Sequence, residues 1–220
     1  MLDLILPLEC GGCGAPSTRW CDACALALSV AAGEPHVVNP RIDPQVPVFA
    51  LGHYAGARRR AILAMKEHGR GDLVAQLARP LAIGIHRLLT WGMVETPLTI
   101  VPAPTRRSAA RRRGGDPVTR MARLAQSSLA APDRGEAGYP DVTVAQALRM
   151  KALARDSVGL GSAARERNIA GRVLLRGQRP RSEVVILDDV VTTGATARES
   201  VRVLHAVGIR VAAVLAIAAA

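Results

Sequence analysis

The residues best placed to do chemistry lie near the two ends of the chain. Towards the C-terminus, Asp188 and Asp189 stand side by side and are followed within a few positions by Thr192-Thr193-Gly194-Ala195-Thr196. Adjacent carboxylates suit the hydroxyls of a sugar, or a Mg²⁺ bound to it. A hydroxyl- and glycine-rich turn that leads into a helix suits a phosphate, because the helix start offers free backbone N–H groups and the positive end of its dipole. Near the N-terminus the 4 cysteines form two Cys-x₂-Cys pairs, Cys10/Cys13 and Cys21/Cys24, with a short spacer. Such tandem knuckles supply four thiolates to a tetrahedral zinc. The rival reading is a redox pair or disulfides, which a reducing compartment disfavours. A closed four-sulfur site has no open position for substrate, so its role would be structural. Between these ends lies an arginine-rich stretch, Arg106, Arg107, Arg111, Arg112 and Arg113. The planar fork of arginine matches phosphate oxygens in pairs.

These groups need elements to hold them. Val184 to Leu187 is a continuous, mostly β-branched apolar run, the pattern of a strand buried on both faces of a parallel sheet. A helix pattern runs from about Thr196 to Val207, so strand, acids, turn and helix follow in order. Ligands of parallel sheets bind in the crevice outside the carboxyl ends of the strands. Leu98 to Val101 is a second strand candidate, and it delivers the arginine stretch to the same edge. Asp116-Pro117 then opens a helix to about Ala130, with Asp as N-cap and Pro in the first turn. Val48 to Leu51 begins the main unit, followed by a helix from Ala57 to Glu67 that carries Arg58, Arg59, Arg60 and Lys66; such a run is usually a solvated face, though four cations near a phosphate site would be useful. From Asp72 to Trp91 apolar residues recur at helical spacing, with Asp72 as N-cap and Pro80 expected to kink or divide the helix. Ser162 to Ala170 reads as a short helix, and Val211 to Ala220 as a terminal strand. The proline-rich segment 33–47 is a linker between a finger at 1–32 and the domain at 48–220.

With 220 residues and 49% hydrophobic composition, the chain can bury one sizeable α/β core. Aromatics make up only 2%, so Ala, Val, Leu and Ile must build that core. The formal charge of +11 comes almost entirely from arginine, since Lys66 and Lys151 are the only lysines. An anionic partner is plausible, although a codon bias towards Ala and Arg would produce the same excess. The N-terminus lacks a secretory pattern and no apolar run is long enough to span a bilayer, so a cytoplasmic location is expected.

The stretch from Glu183 to Thr196 resembles the phosphoribosyl pyrophosphate (PRPP) signature of type I phosphoribosyltransferases. The resemblance implies that Asp188 and Asp189 take the ribose hydroxyls with Mg²⁺. It gives the 5′-phosphate to Thr192, Thr193, Gly194, Ala195 and Thr196, and the pyrophosphate to the arginines at 106–113. Thr192 stands where purine-salvage enzymes place a carboxylate, so the loop is closer to the orotate type.

Together with the Cys₄ finger, Tyr54-x-Gly56 to Lys66, Val101-Pro102-Ala103-Pro104, Arg113-Gly114 and Arg165-x-Arg167-Asn168-Ile169, the chain resembles the ComF family, which includes the GntX type. It departs from that pattern at Gly115-Asp116-Pro117, where the family has Phe-Asn-Gln, and at Asp156, where glutamine is usual. The resemblance implies a type I phosphoribosyltransferase-like fold. It further implies phosphoribosyl transfer linked to DNA uptake, or else non-catalytic binding of single-stranded DNA, with helicase-like and recombination-mediator partners. Scarce aromatics argue against extensive base stacking in the second case.

Overall fold

The computed structural model describes residues 8–105, 115–131, 138–151, 169–177 and 179–220. Its centre is a six-stranded sheet of β1 (His36–Val37), β2 (Val48–Ala50), β3 (Leu98–Pro102), β4 (Val142–Val144), β7 (Glu183–Val191) and β8 (Val211–Ala219) in the order β1-β2-β8-β7-β3-β4. All pairings are parallel except β1 with β2. Strands β5 (Leu148–Met150) and β6 (Val173–Leu175) form a separate antiparallel pair. The fold is therefore α/β with a mostly parallel sheet, as the apolar strand runs led us to expect.

One face of the sheet carries α2 (Gly56–Glu67), α3 (Leu73–Thr90) and α4 (Pro117–Ala130), whose buried residues cluster with Leu98, Ile100, Val185, Leu187 and Leu215. The other face carries α5 (Ala195–His205) and the β5–β6 pair, clustered with Val101, Val184, Ile186, Val214 and Ala216. Side chains on a strand alternate between faces, which explains why Val184 to Leu187 is apolar at every position. With few aromatics, helices come close to the sheet. At Gly84 of α3 a Cβ would meet Leu51 at 2.9 Å and Leu215 at 3.3 Å.

Pro80 neither divides nor ends α3, which runs unbroken through it. A proline inside a helix costs about 3 kcal/mol, and burial of Leu73, Leu77, Leu81, Ile85 and Leu88 on one stripe outweighs it. Asp72 precedes this helix but its side chain caps no backbone N–H; it is drawn instead to Arg70 at 2.7 Å. By contrast, Asp116 caps α4 as its sequence suggests, accepting from the Val118 amide at 3.1 Å. The terminal strand is internal in space, since β8 lies between β2 and β7.

The N-terminal segment, with its short helix α1 (Asp22–Ala27), is docked on α2 and α3. Arg60 donates to the Gly12 carbonyl, and Arg70 donates to the carbonyls of Glu9 at 2.9 Å and Arg19 at 3.1 Å. Leu28 joins the main core. No helix among the described residues is long and apolar enough to cross a membrane.

Candidate functional site

The acid pair lies within β7 rather than after it. The strand continues to Val191 because β8 goes on pairing with it, Asp188 opposite Ala216 and Val191 opposite Ala219. On its other edge the partner stops early: β3 ends at Pro102 opposite Leu187. The acids thus occupy the portion of β7 that projects past β3, at the carboxyl edge of the sheet. A crevice opens there because one strand outlasts its neighbour.

Alternation sends the acids in different directions. Asp188 lines a cavity of about 260 Å³ together with Val190 to Ala197 and Ile169. Asp189 turns to the α2 side, where its Oδ1 lies 2.7 Å from Lys66 Nζ. It is only 3% exposed, and its Oδ2 has no hydrogen-bond partner among the described residues. The Asp189 amide donates to Asp188 Oδ1 at 2.8 Å. Burial first, and then the neighbouring charge of Asp189, push the Asp188 carboxyl up to about 8, with Lys66 and the Asp189 amide opposing. Burial works against the Lys66 ammonium, but Asp189 in contact and Asp188 nearby outweigh it and hold its pKa above the ordinary value.

The loop after β7 turns at Gly194, whose φ of 84° is left-handed. A side chain at this position is excluded for a second reason. A Cβ there would lie 2.3 Å from the Ile42 carbonyl oxygen and 2.8 Å from Pro40. The linker is thus laid against the loop: the Ile42 amide donates to Thr193 O at 2.8 Å, and Arg198 donates to Asp43 O at 3.0 Å. Helix α5 then starts at Ala195 with no acid in its first turn and no cap from Gly194, although the Ala195 amide donates to Thr193 Oγ1 at 3.4 Å. Its first N–H groups have no partner within the helix, and the cavity faces this start. Thr192 is exposed, Thr193 and Thr196 are half-buried, and all line the cavity.

Glu199 holds the far wall. Its carboxylate, almost buried, accepts from the Gly171 amide at 2.7 Å and from Arg202 at 2.7 and 2.9 Å. These bonds tie the segment before β6, which includes the cavity residue Ile169, to α5.

Arg106, Arg107, Arg111, Arg112 and Arg113 lie outside the described residues, as do Arg165, Arg167, Asn168 and most of the 162–170 segment. The two feet of the arginine stretch are described. Thr105 donates to Asp116 Oδ1 at 2.8 Å, so the chain leaves β3 and enters α4 at the same edge as the acids.

At the N-terminus the sulfurs of Cys10, Cys13, Cys21 and Cys24 all lie within 4.8 Å of one another. Cys21 Sγ is 3.6 Å from both Cys10 Sγ and Cys13 Sγ. Ligands of a tetrahedral zinc with bonds of about 2.3 Å are separated by about 3.8 Å, so the spacing fits a metal such as zinc. The Cys13 and Cys10 sulfurs accept amide hydrogens from Ala15 and Cys21, both at 3.4 Å. Burial alone would raise Cys10, but backbone hydrogen bonds from Cys13, Cys21 and Gly12 bring its pKa down to about 6. Burial and the adjoining thiols push Cys24 up. Thiols this close cannot all ionise without a cation among them, which is what a metal supplies. At Gly12 a Cβ would sit 2.5 Å from Cys24 Sγ, so the knuckle closes only around glycine.

Glu199 and the Pro40–Asp43 strap were not identified as site residues from sequence, and Lys66 was noted only as one of four cations that would be useful near a phosphate. Lys66 did carry a signal, since it follows the buried Ile62 by one helical turn on α2. The other two depend on distant contacts and had none.

No known protein-family model and no curated protein matches this chain.

Proposed function

We propose that the crevice beyond β3 binds PRPP with Mg²⁺, and that the chain is a type I phosphoribosyltransferase-like protein of the ComF kind. The observation that carries this reading is the sharing of one cavity by Asp188, the threonine-rich loop and the start of α5. A phosphorylated sugar has the matching parts: a phosphate for the helix start and hydroxyls for the acid at the cavity. Loop and helix amides would hold the 5′-phosphate, and Asp188, the acid of the pair that lines the cavity, the ribose and its Mg²⁺. When bound, Mg²⁺ supplies charge neutralisation for the leaving pyrophosphate. By the family likeness the arginines at 106–113 would hold that group; the described residues flanking them, Thr105 and Asp116, lie at this edge. The activity that follows is displacement of pyrophosphate from the anomeric carbon by an acceptor nucleophile, promoted by positioning and electrostatics rather than by a protein base. The ComF likeness links this activity to DNA uptake. In the finger, we assign zinc to Cys10, Cys13, Cys21 and Cys24 as a structural ion.

Calorimetry on Asp188→Asn/Asp189→Asn tests the reading. A charge-assisted hydrogen bond contributes about 1.5–3 kcal/mol, so loss of the Asp188 carboxylate should lower PRPP affinity by about one to two orders of magnitude. Thr193→Ala should cost less, because the backbone donors remain. Equal affinity in parent and double variant would refute the assignment.

A further inference from the structure

The two acids share a strand but not a neighbourhood. Asp188 lines the loop cavity, whereas Asp189 does not; it reaches α2 on the other face of the sheet. Lys66 is the only ion-pair partner that Asp189 has among the described residues, and its side chain keeps 28% exposure against 4% for that of Asp189. With Oδ2 unpartnered as well, the charge of Asp189 depends on Lys66. The Asp189 amide in turn fixes Asp188 through its 2.8 Å bond to Oδ1. A chain of contacts therefore runs from α2 through Asp189 to the acid at the cavity.

We infer that Lys66 is a positioning residue of this site: through Asp189 it sets the acid pair, leaving Asp188 as the carboxylate that meets the ligand's hydroxyls. The inference rests on the phosphosugar reading above and divides the labour within it. The burial of the pair makes the consequences asymmetric. Removing Lys66 strands a buried carboxylate, and the protein must distort or take up a proton there. Removing the Asp189 charge leaves an ammonium that can turn to water. Neutralising both leaves no stranded charge.

The test compares Lys66→Arg, Lys66→Met, Asp189→Asn, Lys66→Met/Asp189→Asn and Asp188→Asn in the full chain, by PRPP–Mg²⁺ calorimetry and by thermal unfolding. Lys66→Met should lose at least tenfold in affinity and several degrees in Tm. Lys66→Arg should stay within a fewfold of the parent. The Lys66→Met/Asp189→Asn variant should recover most of both losses, while Asp188→Asn alone loses at least tenfold in affinity. Failure of the double variant to recover affinity would mean that Lys66 or Asp189 touches the ligand itself, and would overturn the inference. So would a Lys66→Met protein that melts early yet binds PRPP like the parent, since the pair would then be structural only. If the parent binds no PRPP, the phosphosugar reading fails, and the ligand role of Asp188 with it. The unfolding series still judges the pair, because Tm losses that simply add would overturn its dependence on Lys66.

Discussion

The cysteine cluster and the crevice differ in how far along the chain their parts are gathered. The four thiols come from Cys10 to Cys24, and turns within that stretch bring them together. The crevice draws on Lys66, on Pro40 to Asp43 of the linker, on β7 and on the start of α5. A local cluster can be completed by one ion, and its failure stays local. A site assembled across the sheet inherits the stability of the whole core and feels changes in any segment that reaches it. Exposure does not follow the same division: Cys13 stands at the surface, but Cys10 and Cys24 are buried, as is Asp189.

The sharpest way to break this contrast is to remove the zinc proposed for the four thiols. Structural zinc in small fingers binds with about 10–16 kcal/mol. Cys21→Ser or a strong chelator should therefore release the segment before residue 33, with the 48–220 unit still folded. Metal analysis with hydrogen exchange reads both halves. Cooperative loss of the whole chain would show that the finger is not a local unit.

Next in size is Gly194→Ala, which places a Cβ against the Ile42 carbonyl in a left-handed conformation. The backbone term alone is about 1–3 kcal/mol, and the linker must also lift from the loop. Denaturant unfolding should show the loss, and PRPP affinity should fall with it. An unchanged midpoint would mean that the strap does not brace the loop.

Glu199→Gln probes the far wall and has a pH signature. Hydrogen bonds from Arg202, and then from the Gly171 amide, hold the Glu199 carboxyl below its ordinary 4.5, against the effect of burial. Its contribution is complete above that value and is lost as pH falls through the depressed folded-state pKa. Arg202 is more than half exposed, so screening keeps the effect to about 1 kcal/mol. The parent should lose this increment below about pH 4.5, and the Gln variant should lack it at all pH values. Parallel acid-unfolding curves would contradict the assignment.

Arg70→Ala should have the smallest effect. It removes a half-buried ion pair with Asp72 and two bonds to finger carbonyls, and pairs that water still reaches contribute about 0–1 kcal/mol. Faster exchange of finger amides, with little change in global Tm, is the expected result.

Sequence alone determined what short-range chemistry determines. The fully apolar run at 184–187 demanded a strand covered on both faces, and the 98–101 and 211–220 runs marked further strands. Asp116-Pro117 announced a helix start, and the cysteine spacing announced a four-sulfur cluster, because each signal lies within a few residues of what it specifies. Tertiary structure decided the rest. It kept α3 whole through Pro80 by burying one stripe of it, extended β7 past the acids because β8 kept pairing, and placed the last strand inside the sheet. It turned Asp188 and Asp189 to different partners, made Lys66 of an apparently solvated arginine-rich helix the counter-charge of a buried acid, and laid the linker on Gly194. Each of these is a contact between residues far apart in the chain, where the deciding terms are burial and the pairing of buried charge, and neither is written in local spacing.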